Sequence, residues 1–262
     1  MSIKPSDISR YQMLMQQGKP AKALDHLVSL LNKYPLDRAL CLNTAKLAHK
    51  LGNIELSVRC YEALLSGPTL KPVDYFNIGY ALKTLERFDA ALRAYQKSLD
   101  SGIDRPEEVY LNMGVLYADE LHNEAKAAEL FETAIHTNPA LLSPYINLGN
   151  LYEETGQFGR AAATYKSAVK HIPGAYEALA RQANASSFSS AQDPLLIQLQ
   201  NAVESTGPTD FDKECLHFAL GTALDSLGEY GPAFEHFTKA NNHGQIYGRP
   251  YDRSVLENKL MT

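Results

Sequence analysis

From Leu142 to Ala175, apolar and polar residues alternate with a helical beat. Tyr145, Leu148 and Tyr152 fall at i, i+3 and i+7, which predicts an amphipathic helix with one apolar stripe. Ala161, Tyr165 and Ala168 predict a second helix of the same kind. The turn between them falls at Glu154, Gly156 and Gln157, and Pro173 ends the second helix. Gly149 and Ala161 are small where the two helices must approach. A pair this short cannot bury its stripe alone and needs stacked neighbours.

The chain supplies those neighbours by repeating the pattern. With Gly149 as the register mark, Gly114, Gly79 and Ala45 precede it at steps of 35, 35 and 34 residues, and Gly221 follows after two repeats. The small residue of the second helix recurs as Ala23, Ser57, Ala91, Ala127, Ala161 and Ala233. The bulky residue one turn later recurs as Leu27, Tyr61, Tyr95, Phe131, Tyr165 and Phe237. Leu30, Leu64, Ser98, Ala134, Ala168 and Ala240 form a third column, and Pro35, Pro139 and Pro173 close repeats. This period and order of small, aromatic, small and Pro resembles the tetratricopeptide repeat (TPR) family. The resemblance implies an all-α fold, a right-handed α-solenoid of antiparallel helix pairs with a C-terminal capping or linker helix. Two departures are local. Tyr11 replaces the small residue of the first repeat, and the turn at Leu121, His122 and Asn123 carries one extra residue.

On this register residues 1–175 hold five consecutive repeats, 176–212 a degenerate helix pair, 213–245 a further repeat, and 246–262 a linker and terminal helix. In the degenerate stretch Ser186–Ser190 is a polar break around Phe188, and Asp193–Pro194 is a helix start. Asn242, His243 and Gly244 read as a helix end. Val255, Leu256 and Leu260 then share a face of the terminal helix. The abrupt stop at Thr262 fits a fragment of a longer polypeptide.

Composition narrows the function classes. The chain has 262 residues, 45% of them hydrophobic, and a net charge of -5, with Lys and Arg scattered among acids. A nucleic-acid binder would concentrate basic residues on one surface, so nucleic acid is disfavoured as a partner. Cys41, Cys60 and Cys215 are an odd number without metal-ligand spacing, which reads as buried thiols in a reducing, cytoplasmic setting. No apolar run is long enough for a membrane span, and the N-terminus lacks a secretory signal.

The C-terminal third carries a narrower likeness. Phe188–Val203, Leu216–Asn242 and Tyr251–Asp252 resemble the junction in bacterial TPR-containing sulfotransferase family proteins. The likeness covers roughly residues 176 to 255. In that family it implies a following catalytic domain that uses the sulfate donor PAPS, so this chain would be its substrate-recruiting region. The catalytic half is not in the sequence. The nearest string to a phosphate loop, Ser66–Thr69, sits between helices and has Pro68 where backbone N–H groups are needed.

No enzyme site emerges from the residues themselves. None of the eight histidines forms an HExxH pair. His217 shares a column with Tyr75, Tyr110 and Tyr145 and reads as packed core. His236 and His243 lie seven apart, a weak pattern for a metal pair. Glu107–Glu108 and Glu153–Glu154 read as solvated helix ends. No Ser, Cys or Lys has a base in a recognisable relation, and no metal or cofactor is expected.

The binding face is the more informative feature. The residue two before the small-residue column is Asn in four successive repeats: Asn43, Asn77, Asn112 and Asn147. First helices line the concave face of a TPR array. An Asn there offers a donor and an acceptor to the backbone of an extended peptide, and the ladder is similar to that of the O-GlcNAc transferase superhelix. Ser9 and Ala219 break it in the outer repeats. The neighbouring groove positions are Lys46, Lys50, Tyr80, Asp119, Asn150 and Glu154, so charge shifts from basic to acidic along the chain. The adjacent apolar column, Leu42, Phe76, Leu111 and Ile146, is unlike the Lys-bearing column of TPRs that clamp chaperone tails. The expected function is a scaffold that binds a protein or extended peptide in its groove. A sulfotransferase's recruiting region and a self-associating structural scaffold are the alternatives.

Overall fold

The computed structural model of the chain describes residues 5–247 apart from 36 and 68. The linker and terminal helix expected beyond 247 lie outside the described residues. Among those described, every regular element is a helix, and the helices pack in consecutive pairs. The chain divides into two units, residues 1–122 and 123–262.

The first unit holds α1 (Pro5–Gln16), α2 (Pro20–Leu31), α3 (Arg38–Lys50), α4 (Ile54–Ser66), α5 (Pro72–Thr84), α6 (Phe88–Asp100) and α7 (Pro106–Val115). A single wide turn, Leu116–Glu120, closes α7. Local chemistry sets these starts. The Asp37 carboxylate accepts the Leu40 N–H at 2.9 Å, and Asn53 Oδ1 accepts the Leu56 N–H at 3.2 Å. Pro20, Pro72 and Pro106 open α2, α5 and α7, where a missing N–H costs nothing. First helices pack on second helices through the repeated columns: Ala45 meets Ser57, and Gly79 meets Tyr95, all of them buried. Ser57 Oγ donates to the Ala45 carbonyl at 3.0 Å, so even the polar member of the column is satisfied.

The second unit holds α8 (Glu124–Thr137), α9 (Leu142–Glu154), α10 (Phe158–His171), α11 (Tyr176–Asn184), α12 (Pro194–Glu204), α13 (Asp210–Ser226) and α14 (Tyr230–Tyr247). Asn123 caps α8 and Asp193 caps α12. Thr209 and Asp212 close a capping box on α13. In the weakest stretch of the repeat, Leu196 and Leu199 of α12 bury themselves with Leu179 of α11 and Leu216 and Leu220 of α13. The expected helix end at Asn242, His243 and Gly244 is not there: α14 runs through to Tyr247. Gly244 stays helical, because no left-handed residue interrupts the turn.

The same stop signal ends most first helices. Gly52, Gly156 and Gly228 adopt left-handed φ of 75°, 71° and 80°. The N–H after each reaches back to the carbonyl five residues earlier, as Gln157 does to Tyr152 at 2.7 Å. Glu86 holds the equivalent position with φ 57°, without glycine's freedom. The surplus residue of the fourth repeat is not in the turn, where the register alone put it. It widens the helix end instead: the Leu121 N–H donates to the Leu116 carbonyl at 3.1 Å, five residues back.

Candidate functional site

Helical periodicity sorts each first helix into a buried face and one outward stripe. On α3 the stripe is Ala39, Asn43, Lys46 and Lys50, spaced i, i+4, i+7 and i+11, and all four are exposed. On α5 the equivalent stripe is Val73, Asn77, Tyr80 and Thr84, again all exposed. Arg38 at the start of α3 pairs with Asp74 at the start of α5, which pins the two first turns side by side. The first turns of the two stripes are therefore neighbours, and Asn43 and Asn77 are both exposed, one on each helix.

The next member differs. Asn112 of α7 is half-buried, and its Nδ2 donates to the Glu108 carbonyl of its own helix at 2.8 Å. Asp119 is exposed in the wide turn that follows.

In the second unit Asn147 and Asn150 of α9 are half-buried and Glu154 is exposed. Asn150 Oδ1 accepts two hydrogen bonds, from the Tyr165 hydroxyl and from Arg181 Nη1, each at 2.9 Å. Its carbonyl oxygen is thereby committed, leaving the amide protons as what it can offer. Arg181 Nε donates to Glu177 Oε1 at 3.0 Å, so a carboxylate, a guanidinium, an amide and a phenol form one connected patch on α9, α10 and α11. Arg181 lies 34 residues after Asn147 and so falls in the Asn column. The asparagine pattern did not flag it because the residue type changes there and the Ser186–Ser190 break blurs the register.

The second helices supply phenols beneath the stripes. Tyr165 is fully buried under Gly149, and burial pushes its phenol above the usual range. Tyr95 is its counterpart under Gly79 and is also fully buried. The position that holds Asn150 in the fifth repeat holds Tyr80 in the third. Tyr80 gives Tyr95 no hydrogen bond, and the Tyr95 hydroxyl is buried without a partner. Burial, with Tyr80 nearby, raises its pKa.

The histidines form a different arrangement from the one their spacing describes. His217 of α13 is buried as expected, at 5% exposure, but its Nδ1 lies 2.9 Å from His236 Nδ1 of α14. Its ring also stacks on His243 at a centroid distance of 5.7 Å, and His243 Nδ1 lies 2.9 Å from Asp210 Oδ1. Burial, then His236, His243, Lys239 and Lys213, hold His217 down to about 4. Among the described residues no group of three His, Cys, Asp or Glu side chains is placed to hold a metal ion. Cys41 and Cys60 are buried and Cys215 is half-buried, all as free thiols, and burial pushes Cys60 and Cys215 up to about 11. No described helix is long and apolar enough to cross a membrane.

Stacked helix pairs, with small residues recurring at the crossings and exposed polar stripes on first helices such as α3 and α5, define the class of helical-repeat proteins. The chain belongs to the tetratricopeptide repeat family, whose model matches residues 4–245. Photosystem I assembly protein Ycf3 of Prochlorococcus marinus is 29% identical over 119 residues, 39% of this chain and 68% of that protein. Tetratricopeptide repeat protein 8 of Caenorhabditis elegans is 28% identical over 117 residues, 44% of this chain and 23% of that protein. Among solved structures, the C-terminal part of a TPR repeat-containing protein from Cytophaga hutchinsonii superposes with a TM-score of 0.61 at 15% identity, over 95% of this chain and 98% of that one. MamA superposes with a TM-score of 0.51 at 19% identity, over 65% of this chain and 96% of that one. At these identities the solved structures share the fold.

Proposed function

We propose that this protein is a binding module that takes an extended peptide segment of a partner protein along the stripes of its first helices. The observation that carries this reading is the pair of exposed amides, Asn43 and Asn77, on two first helices whose opening turns are joined by Arg38 and Asp74. A primary amide offers two donors and an acceptor, and a peptide backbone presents both in alternation, so such a pair can bind main chain independently of side-chain sequence. The stripe sits on packed helices, so little ordering entropy opposes binding.

The test is a panel of random twelve-residue peptides selected on the full chain, with affinities read by fluorescence polarisation. Asn43→Ala with Asn77→Ala should weaken the selected peptides about tenfold or more, the loss of two backbone hydrogen bonds of roughly 1 kcal/mol each. Peptides that bind the double variant as well as the parent would end this account.

A narrower reading, the recruiting region of a TPR-containing sulfotransferase, rests on the resemblance of residues 176–255. Its test is the reading frame beyond the Thr262 codon. A following strand and phosphate loop support it, and a stop codon removes it.

A further inference from the structure

The seam between α13 and α14 is built differently from the one between α9 and α10. Among the described helices, α14 packs substantially on α13 alone. It buries little there. Ala233 and Ala240 are buried, Phe237 is half-buried over Gly221, and Tyr230, Phe234 and Ile246 are exposed. In α10 the counterpart of Phe237 is the fully buried Tyr165. The apolar cluster that holds Leu216 and Leu220 of α13 is built from α11, α12 and α13 and takes nothing from α14.

What fills the rest of the seam is imidazole. His217 Nδ1 lies 2.9 Å from His236 Nδ1, and the His217 ring stacks on His243 at 5.7 Å. His243 Nδ1 in turn lies 2.9 Å from Asp210 Oδ1. In the fifth repeat the matching columns hold Tyr145, Thr164 and His171, with the His171 ring stacked on Tyr145 at 6.5 Å. One imidazole stands there where the last pair has three.

A contact between two Nδ1 atoms holds when one carries a hydrogen and the other a lone pair. A proton on both rings turns N–H against N–H and sets two positive charges against each other across the same gap. The surrounding charges add to this more than they relieve it. Lys239 of α14 and Lys213 of α13 act on His217, and Lys239 acts on His236, where Glu235 opposes it. Asp210 is engaged with His243, and Glu214 lies against Gly244. On the other side of α13, Glu177 and Arg181 of α11 act on Cys215 instead, and Glu204, the charged residue of α12, is exposed. Burial and its neighbours hold His217 at about 4, below its ordinary 6.5. The closed seam therefore binds fewer protons than the open one between those values, and falling pH favours opening.

We propose that the α13–α14 seam is a proton-operated latch, closed while one of His217 and His236 donates its Nδ1–H to the other, and opened when acid protonates both rings and α14 comes away from α13. Opening uncovers Phe218 and Gly221, which Phe237 now covers. The helices before it stay folded, because α11, α12 and α13 hold their cluster among themselves. The latch is independent of what the first helices bind.

The test is hydrogen exchange on the full chain at pH 7, 6 and 5, with each rate divided by that of an unstructured chain at the same pH. From pH 7 to pH 5 the α14 amides should lose protection at least about tenfold, within what a folded pKa near 4 against 6.5 allows. At pH 5 they should be at least about tenfold less protected than the α13 amides. His217→Tyr takes the residue of that column at 75 and 145, and His236→Thr takes the residue at 164. In each variant the protection of α14 should stay within about threefold over the same range, and this pH dependence is the readout, whatever the absolute protection. If α13 and α14 lose protection to one level, the whole unit opens and the latch is overturned. An α14 that keeps its protection at pH 5, one already unprotected at pH 7, or a fall that persists in either variant overturns it as well.

Discussion

His217 shows how a single residue sets a condition on the whole fold. In the unfolded chain it titrates near 6.5, and in the folded protein burial and its neighbours hold it at about 4. Because the folded pKa is the lower one, the unfolded state binds more protons between those values. Stability from a neutral His217 is thus present above about pH 6.5, declines as pH falls through the window, and is lost below about 4. His236 is shifted down as well, first by burial, so it works in the same direction. Urea midpoints should therefore drop by an amount worth up to roughly 3 kcal/mol between about pH 7 and pH 4. His217→Tyr, the residue found in that column at 75 and 145, should flatten much of the slope. Glu86 is the second residue with a definite expectation. It holds a left-handed φ of 57° where Gly52, Gly156 and Gly228 stand in other repeats. Glu86→Gly should raise stability by about 0.5–1 kcal/mol, visible as a higher urea midpoint, since a side chain in that region costs roughly 1 kcal/mol or more.

Helix pairs are the scale at which the sequence was most legible. The small and aromatic columns are repeated, and a repeated column means a repeated crossing. Gly79 illustrates why the small residue is required. A Cβ there would lie 2.7 Å from Tyr95 Cδ1, and Tyr95 is fully buried with nowhere to retreat. Gly79→Ala should destabilise by about 1–3 kcal/mol of overpacking, more than the roughly 1 kcal/mol that Ala gains over Gly in a helix. Tyr95→Leu in the same chain should recover part of the loss, and thermal unfolding of the single and double variants would show it. What the columns did not reveal was anything built across helices. Spacing along α14 relates His236 to His243, but the shortest histidine contact comes from His217 on α13. In the same way, Asn150 reads as a free groove amide in sequence, and only packing shows its oxygen taken by Tyr165 and Arg181.

At the scale of the whole molecule, the stripes turn a structural period into a chemical one. Asn43 and Asn77 recur because the first helix recurs, and the repeat carries whatever it displays along with what it buries. The residues that break the display, Arg181 in the second unit and Tyr80 in the first, are the ones that distinguish this chain from a generic array. The wide turn at Leu116–Glu120 bears on this economy. An α-helix rotates about 100° per residue, so one inserted residue is an angular error of more than a quarter turn for all that follows in the helix. Placed between Asn77 and Tyr80, it would swing Tyr80 and Thr84 off the solvent side and scramble the display. Placed at the very end of α7, beyond Asn112, the error is absorbed in one loosened turn. His122 then takes the left-handed stop one residue late, and Ala127 and Phe131 are buried as Ala161 and Tyr165 are. Length changes in such a chain are thus neutral or ruinous according to phase, and this one sits where the phase has already been spent.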